Sequence, residues 1–280
     1  MAGDPRVEAL VSDEVLSDYR QDGAVVLRKA FDKRWLAKLV LGIERNLAQP
    51  GPDATNHDLG GGGGRFFEDY CNWPRIPEFR DFVLESPAAA LAARFMAASR
   101  VQIFHDHVLV KEPGTGKATV WHHDMPYYCV TGQQVVSFWM PLDTVPREVC
   151  PRFLAGSHAW GRLFYPRFFD DGADYNYPGS GYEPVPDIEA ERHRHRILSW
   201  DLEPGDVLVF HFLTLHSAPG NESPRRRRGF ATRWLGDDVR YTRRPGKTSP
   251  PYPDIGLAEG DRLREDWFPV VWEAPASDAA

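Results

Sequence analysis

Cysteine is scarce. Cys71, Cys129 and Cys150 are the only three in 280 residues, an odd count with no Cys-x-x-Cys spacing. That excludes a disulfide framework and a zinc knuckle. No run of 18 apolar residues is present, so no membrane span is expected. The opening MAGDPRVEAL lacks the apolar core of a signal peptide, and a cytoplasmic protein with no membrane partner is expected. Positive charge is not in excess either: the net charge is −7 and the pI about 5.8. A sequence-independent nucleic-acid binder is therefore excluded. No internal repeat is visible, and 42 % hydrophobic with 26 % charged residues excludes disordered, collagen-like and coiled-coil chains. What is present is turn formers, 24 Gly and 24 Pro, and aromatics, nine Trp and 16 Phe, enough for many short strands around a filled interior.

The first hundred residues read as helical. Ser12 or Asp13 can cap a helix that has Glu14 in its first turn, Val15, Leu16 and Tyr19 at helical spacing, and Gly23 as its stop. Residues 24–27 (AVVL) read as a short strand. Residues 32–48 place Trp35, Leu36, Leu39, Val40 and Ile43 at helical spacing before Pro50-Gly51 ends the segment. Five glycines, Gly60 to Gly64, read as a mobile loop because packing them would cost too much backbone entropy. No Gly-Lys-Ser/Thr follows them, so a phosphate cradle is not indicated. Residues 87–100 are Ala-rich and read as helix.

Beyond Arg100 the texture changes. Residues 101–111, 135–142, 207–212 and 229–235 are short apolar or alternating runs, separated by turn clusters such as Glu112-Pro113-Gly114-Thr115-Gly116. That pattern predicts a sandwich or barrel. A Pro/Gly/Tyr-rich insert at 160–195, followed by the basic run 192–196, reads as irregular cover over one mouth of the sheet. The expectation is a single domain over 1–280, mainly β with α cover. Its parts are a helical N-terminal cover at 12–100, a β core at 101–240 and a tail at 241–280 that folds over the barrel through its Pro-rich stretch 249–253.

Two clusters join histidine to an acid at short spacing, His105-Asp106-His107 and His122-His123-Asp124. On a strand, residues i and i+2 share a face. His122 with Asp124 could therefore chelate one ion, and His105 with His107 is the competing pair. A third ligand would come from His211 or His216 in FHFLTLHSAPGN. Two His and one carboxylate leave three positions of an octahedral ion open, the arrangement that non-haem Fe(II) oxygenases need. No thiolate is near enough in sequence to suggest a closed zinc site.

Three stretches carry a resemblance: LVKEPGTGKATVWHHDMPYY (109–128), SFWMPLD with AGSH (137–158), and GDVLVFHFLTLHSAPGNESPRRRRGFATRW (205–234). In this order they resemble the phytanoyl-CoA dioxygenase family, iron- and 2-oxoglutarate-dependent oxygenases built on a double-stranded β-helix, the jelly-roll or cupin-like barrel. The similarity runs from about Ser12 to about Asp238. It implies Fe(II) as the metal, 2-oxoglutarate and O2 as cosubstrates, and a small-molecule substrate that is hydroxylated while succinate and CO2 are released.

Carried over by residue, the resemblance makes His122, Asp124 and His216 the metal ligands, Asn221 falling five residues past His216 as in the family. Eleven residues past His216 is Arg227, at the family's 2-oxoglutarate arginine. A planar guanidinium grips a carboxylate with two parallel hydrogen bonds. The run of four arginines, 225–228, leaves the register open by one or two positions. Trp139 and His107 fall where family members approach 2-oxoglutarate. The chain departs from the family at Glu148-Val149-Cys150, at Ala155-Gly156-Ser157-His158 and at Ser217-Ala218. Its Asp124 is the acid that halogenating members replace with a small residue, so hydroxylation is favoured.

Residues for the substrate follow by parity from Arg227: Gly229, Ala231 and Arg233 share its face. Tyr127 and Tyr128 follow the metal acid, and Phe66 or Phe67 follow the glycines; each could line a pocket. Arg233, if buried, needs an anion, either a structural carboxylate such as Asp237 or Glu148 or an acidic group of the substrate. A Zn- or Mn-dependent cupin-like isomerase and a non-catalytic small-molecule-binding barrel are the competing readings, and neither has a use for the cosubstrate arginine.

Overall fold

A computed structural model describes residues 5–57, 64–168, 172–175, 177 and 179–275. After a short α1 (Pro5–Leu10), Ser12 caps α2 (Asp13–Asp22) by accepting the Val15 N–H, and Gly23 closes it at φ 76°. β1 (Ala24–Leu27) follows directly. α3 (Lys33–Ala48) is capped by Asp32, which accepts from the N–H groups of Arg34 and Trp35. A hairpin not foreseen in the sequence comes next, β2 (Thr55–His57) and β3 (Phe66–Tyr70). It flanks the glycine tract, of which Gly60 to Gly63 lie outside the described residues.

A helix not foreseen in the sequence, α4 (Pro77–Glu85), precedes the expected one, α5 (Ala88–Met96). The expected helix overran its end: Ala97 turns left-handed at φ 49°, and Arg100 already belongs to a strand. The strands that follow are β4 (Arg100–Lys111), β5 (Thr119–His122), β6 (Val130–Thr131), β7 (Val135–Pro141) and β8 (Arg152–Leu154). The remainder are β9 (Ile197–Leu198), β10 (Val207–Phe210), β11 (His216–Ala218), β12 (Arg227–Leu235), β13 (Arg240–Tyr241) and β14 (Val270–Glu273). The tail thus does more than cover the barrel, because β14 pairs with the first residues of β4.

The large antiparallel sheet has the order β1-β10-β7-β12-β4-β3-β2, and a smaller one has β5-β11-β8-β9. Together they form the expected jelly roll, mainly β with helices as cover. Alternation sorts the large sheet's side chains. Phe138, Phe230 and Trp234 face outward and are buried under Leu39, Ile43, Phe79 and Phe82 of the helices. Phe230 packs at 4.5 Å from the Phe79 ring and 5.7 Å from that of Phe82. Burying such a ring contributes roughly 1.5–3 kcal/mol. The alternate residues face the small sheet in cross-strand rows. One row is Ser137, Arg233 and His105; the next is Trp139, Ala231, His107 and Tyr70; a third is Arg227 and Lys111. No helix among the described residues is long and apolar enough to cross a membrane.

Candidate functional site

His216 stands directly opposite His122 across the β5–β11 pair, with ring centroids 4.2 Å apart. Asp124 arrives differently from the strand alternation expected of it. β5 ends at His122, and Asp124, in helical backbone conformation, opens a single 3-10 turn over Met125–Tyr127. That turn brings Asp124 Oδ1 to 3.8 Å from His122 Nε2 and 3.7 Å from His216 Nε2. One ligand atom from each residue lies within 4.8 Å of the others, the single such group among the described residues. His105 and His107, the competing pair, do not assemble one. His211, the alternative third ligand, does not share a strand with His216. β10 stops at Phe210, and a turn separates them in which His211 Nδ1 accepts the Leu213 N–H and Nε2 lies 3.1 Å from the Gln133 carbonyl.

Both histidines of the group are poised as ligands. His122 Nδ1 lies 2.8 Å from the Val120 carbonyl, and His216 Nδ1 lies 2.9 Å from the Thr214 carbonyl. A carbonyl only accepts, so each Nδ1 carries the proton and each Nε2 turns its lone pair toward Asp124. Burial, reinforced by His216, holds His122 down to about 3. It is therefore neutral. Burial alone would raise the Asp124 carboxyl; the Arg233 charge foremost outweighs it and holds the group well below the carboxylate range.

Arg233 has a partner neither of its two foreseen candidates supplies. Its Nε donates to Asp124 Oδ2 at 3.0 Å and to the Tyr128 hydroxyl at 3.0 Å. Asp237 instead accepts from Ser99, and Glu148 lies exposed in a turn. Ser137, which the sequence reading passed over, donates to the same Oδ2 at 3.2 Å. Only its parity with Trp139 on β7 could have pointed to it.

The register of the arginine run is fixed by pairing. Arg226 bonds Glu112 and Glu44, Arg228 bonds Asp143 and Glu44, and Arg225 remains exposed. Arg227 alone of the four turns inward, opposite Lys111, where it donates to the Val149 and Pro219 carbonyls. Burial pushes it down to about 10, and it stays protonated. Lys111 Nζ is buried beside it and donates to the same Pro219 oxygen at 3.2 Å. Burial and the neighbouring Arg227 push the Lys111 amine well down; a guanidinium and this amine thus meet at one carbonyl, and neither is ion-paired to a carboxylate among the described residues. The Trp139 indole leans over Gly229, one row from Arg227.

A cavity of about 300 Å³ opens from the metal group, lined by Trp139, His107, Tyr128 and Arg233 and also by Tyr127, Phe168 and Tyr175. Phe66 and Phe67, expected near it, are instead packed away, Phe67 in the helix-covered core and Phe66 against His57 and Lys111. Glu68 and Tyr70, the alternate residues of β3, take the cavity face, with His57 of β2. Their strands dock beside β4 by long-range pairing that no local motif announces.

A profile of the phytanoyl-CoA dioxygenase (PhyH) family matches residues 19–229. A probable phytanoyl-CoA dioxygenase of Caenorhabditis elegans is 23 % identical over 189 residues, 64 % of this chain and 54 % of that protein. The chain thus spans about half the length of this curated relative. Among solved structures, the non-haem α-ketoglutarate-dependent carbocyclase SnoK from nogalamycin biosynthesis superposes with a TM-score of 0.73 at 23 % identity, covering 97 % of this chain and 100 % of its own. The epimerase SnoN, in complex with Fe3+, α-ketoglutarate and nogalamycin RO, gives 0.72 at 24 % identity over 96 % and 100 %. EctD from S. alaskensis, with 2-oxoglutarate and 5-hydroxyectoine, gives 0.69 at 18 % identity over 99 % and 88 %. At these identities the structures establish the fold, and the profile establishes descent. The chain belongs to the phytanoyl-CoA dioxygenase family of iron- and 2-oxoglutarate-dependent oxygenases.

Proposed function

We propose that the protein is a hydroxylase of a small molecule, with Fe(II) held by His122 Nε2, Asp124 Oδ1 and His216 Nε2. The donor set fits that ion: two neutral imidazoles and one carboxylate, on one side of a cavity, leave room for further ligands. Bound there, iron with 2-oxoglutarate and O2 supplies the oxidising power that turns a substrate C–H into C–OH, while 2-oxoglutarate becomes succinate and CO2.

The observation that carries this reading is the buried Arg227 guanidinium, which shares the Pro219 carbonyl with the Lys111 amine and has no carboxylate partner among the described residues. It is costly to bury without an anion, and a carboxylate at that spot would relieve it and favour the charged form of Lys111. Arg227 would grip the distal carboxylate of 2-oxoglutarate, with Trp139 and His107 flanking the cosubstrate. The carbonyls behind His122 and His216 hold their tautomers, and Arg233 with Ser137 fixes Asp124. Tyr128 and Arg233 bound the space left for substrate, and the surrounding aromatic side chains exclude water from it.

The test is an anaerobic titration with Fe(II) and 2-oxoglutarate. A weak visible charge-transfer band is expected only when both are present, and O2 should then release succinate in the wild type but not in His122→Ala or His216→Ala. A zinc or manganese isomerase would show no such band. A non-catalytic barrel would show the band without succinate.

A further inference from the structure

The charges that face the cavity are not balanced in the same way. Arg233 is neutralised by Asp124. Arg167, also on the cavity wall, pairs with Asp174 at 3.4 Å. That leaves Glu68, on the far wall from β3, nine-tenths buried and turned into the cavity.

Glu68 is held by two histidines and by no residue of fixed positive charge among the described residues. Its Oε1 lies 2.8 Å from His57 Nε2, and its Oε2 lies 3.3 Å from His107 Nε2 without a hydrogen bond in good geometry. No Lys or Arg is ion-paired with it among the described residues. Lys111, within electrostatic range, has its amine committed to Lys117 O at 2.7 Å, Pro219 O at 3.2 Å and Thr119 Oγ1 at 3.5 Å. Burial would raise the Glu68 carboxyl; the adjacent imidazoles of His107 and His57 reverse that and bring it down to about 2. It is an anion throughout the working range of pH.

Two tyrosines line the cavity with this carboxylate. Tyr70 follows it on the same face of β3, with its ring 5.6 Å from that of His107. Tyr175 also lines the cavity, stacked at 4.2 Å on Phe168. Burial, and then the Glu68 charge among other causes, raises the hydroxyl pKa of both tyrosines, so both lie within its field. A buried carboxylate that shares a cavity wall with tyrosine rings is an environment that stabilises a desolvated ammonium.

We propose that Glu68, with Tyr70 and Tyr175, forms a subsite for a basic amine of the substrate. This reverses the acidic substrate that Arg233 had suggested. The β2–β3 hairpin then selects the substrate while the metal group acts on it. The inference deepens the function proposed above and rests on it only in calling the amine part of a substrate.

The test uses the full chain loaded with Fe(II) and 2-oxoglutarate under argon, titrated calorimetrically with benzylamine, benzyl alcohol and benzoate. Benzylamine should bind about tenfold or more tighter than benzyl alcohol, and the preference should shrink to about threefold or less in Glu68→Gln. Tyr70→Leu should weaken benzylamine several-fold while benzyl alcohol stays within about twofold, which guards against a Glu68 variant that fails to fold. Equal affinities, a preference for benzoate, an amine preference that survives Glu68→Gln, or no benzylamine binding up to about 10 mM would each overturn the subsite. A charge-transfer band without amine preference sinks this inference alone. An amine preference without a band sinks the hydroxylase reading instead.

Discussion

Arg233 Nε and Ser137 Oγ converge on one oxygen of Asp124, Oδ2, at 3.0 and 3.2 Å, leaving Oδ1 to face the two histidines. A carboxylate tied in this way presents a single oxygen to a metal. The arginine also carries the charge that keeps Asp124 ionised in a buried site. Outer partners of metal ligands typically contribute 10–100-fold in metal affinity. Arg233→Gln should therefore weaken Co(II) binding, followed by the d–d spectrum, by about tenfold or more, and Ser137→Ala by less. Unchanged Co(II) affinity in Arg233→Gln would show that the ion pair does not position Asp124.

Arg227 can be tested against its neighbours. Truncating or replacing one side of a buried charge-assisted pair typically costs on the order of 2–5 kcal/mol. Arg227→Lys keeps the charge but loses the planar fork, and the 2-oxoglutarate concentration for half-maximal succinate release should rise by about tenfold. Arg226→Lys and Arg228→Lys, whose side chains reach Glu112 and Asp143 at the surface, should stay within about twofold. The reverse ranking would shift the register of the cosubstrate site.

Gly229 offers a test of the indole beside that site. A Cβ there would lie 2.6 Å from the ring of Trp139, a rigid group with little room to yield. Gly229→Ala should push the indole out of place, seen as a shift in tryptophan emission, and raise the 2-oxoglutarate requirement. Far-ultraviolet circular dichroism should be unchanged, because the backbone of β12 at this point is ordinary extended strand. Unaltered emission and affinity together would mean that Trp139 has another low-energy position.

What was legible in the sequence depended on distance along the chain. His122, Asp124, His216 and Arg227 stand in motifs of fixed order, and the parity from Arg227 to Arg233 holds because β12 is regular as far as Arg233. The caps at Ser12 and Gly23 were legible too, since they act on residues three and four positions away. The partner of Arg233 was not: Asp124 is 109 residues away, and its side chain is aimed by a turn that strand alternation does not describe. Glu68 was missed for the same reason. FFEDY carries no chemical motif, and it becomes part of the cavity only through its pairing with β4.

Asp106 leads to a prediction about stability. It is fully buried on the outer face of β4, where its Oδ1 accepts the Trp73 N–H at 2.7 Å and its Oδ2 has no partner. Burial, partly offset by backbone hydrogen bonds, pushes its carboxyl up to about 7. The fold thus favours the protonated form, against a value near 4 in the unfolded chain. The stabilisation is complete below about pH 4 and is lost as pH rises through about 7, where a charge must be carried in an apolar setting. The full span is on the order of 4 kcal/mol. Asp106→Asn carries no charge at any pH. Measured by thermal unfolding, the variant should match or fall slightly below wild type at pH 5 and exceed it by about 4 °C or more at pH 8. A Tm difference that does not change between the two pH values would show that Asp106 is not protonated in the fold.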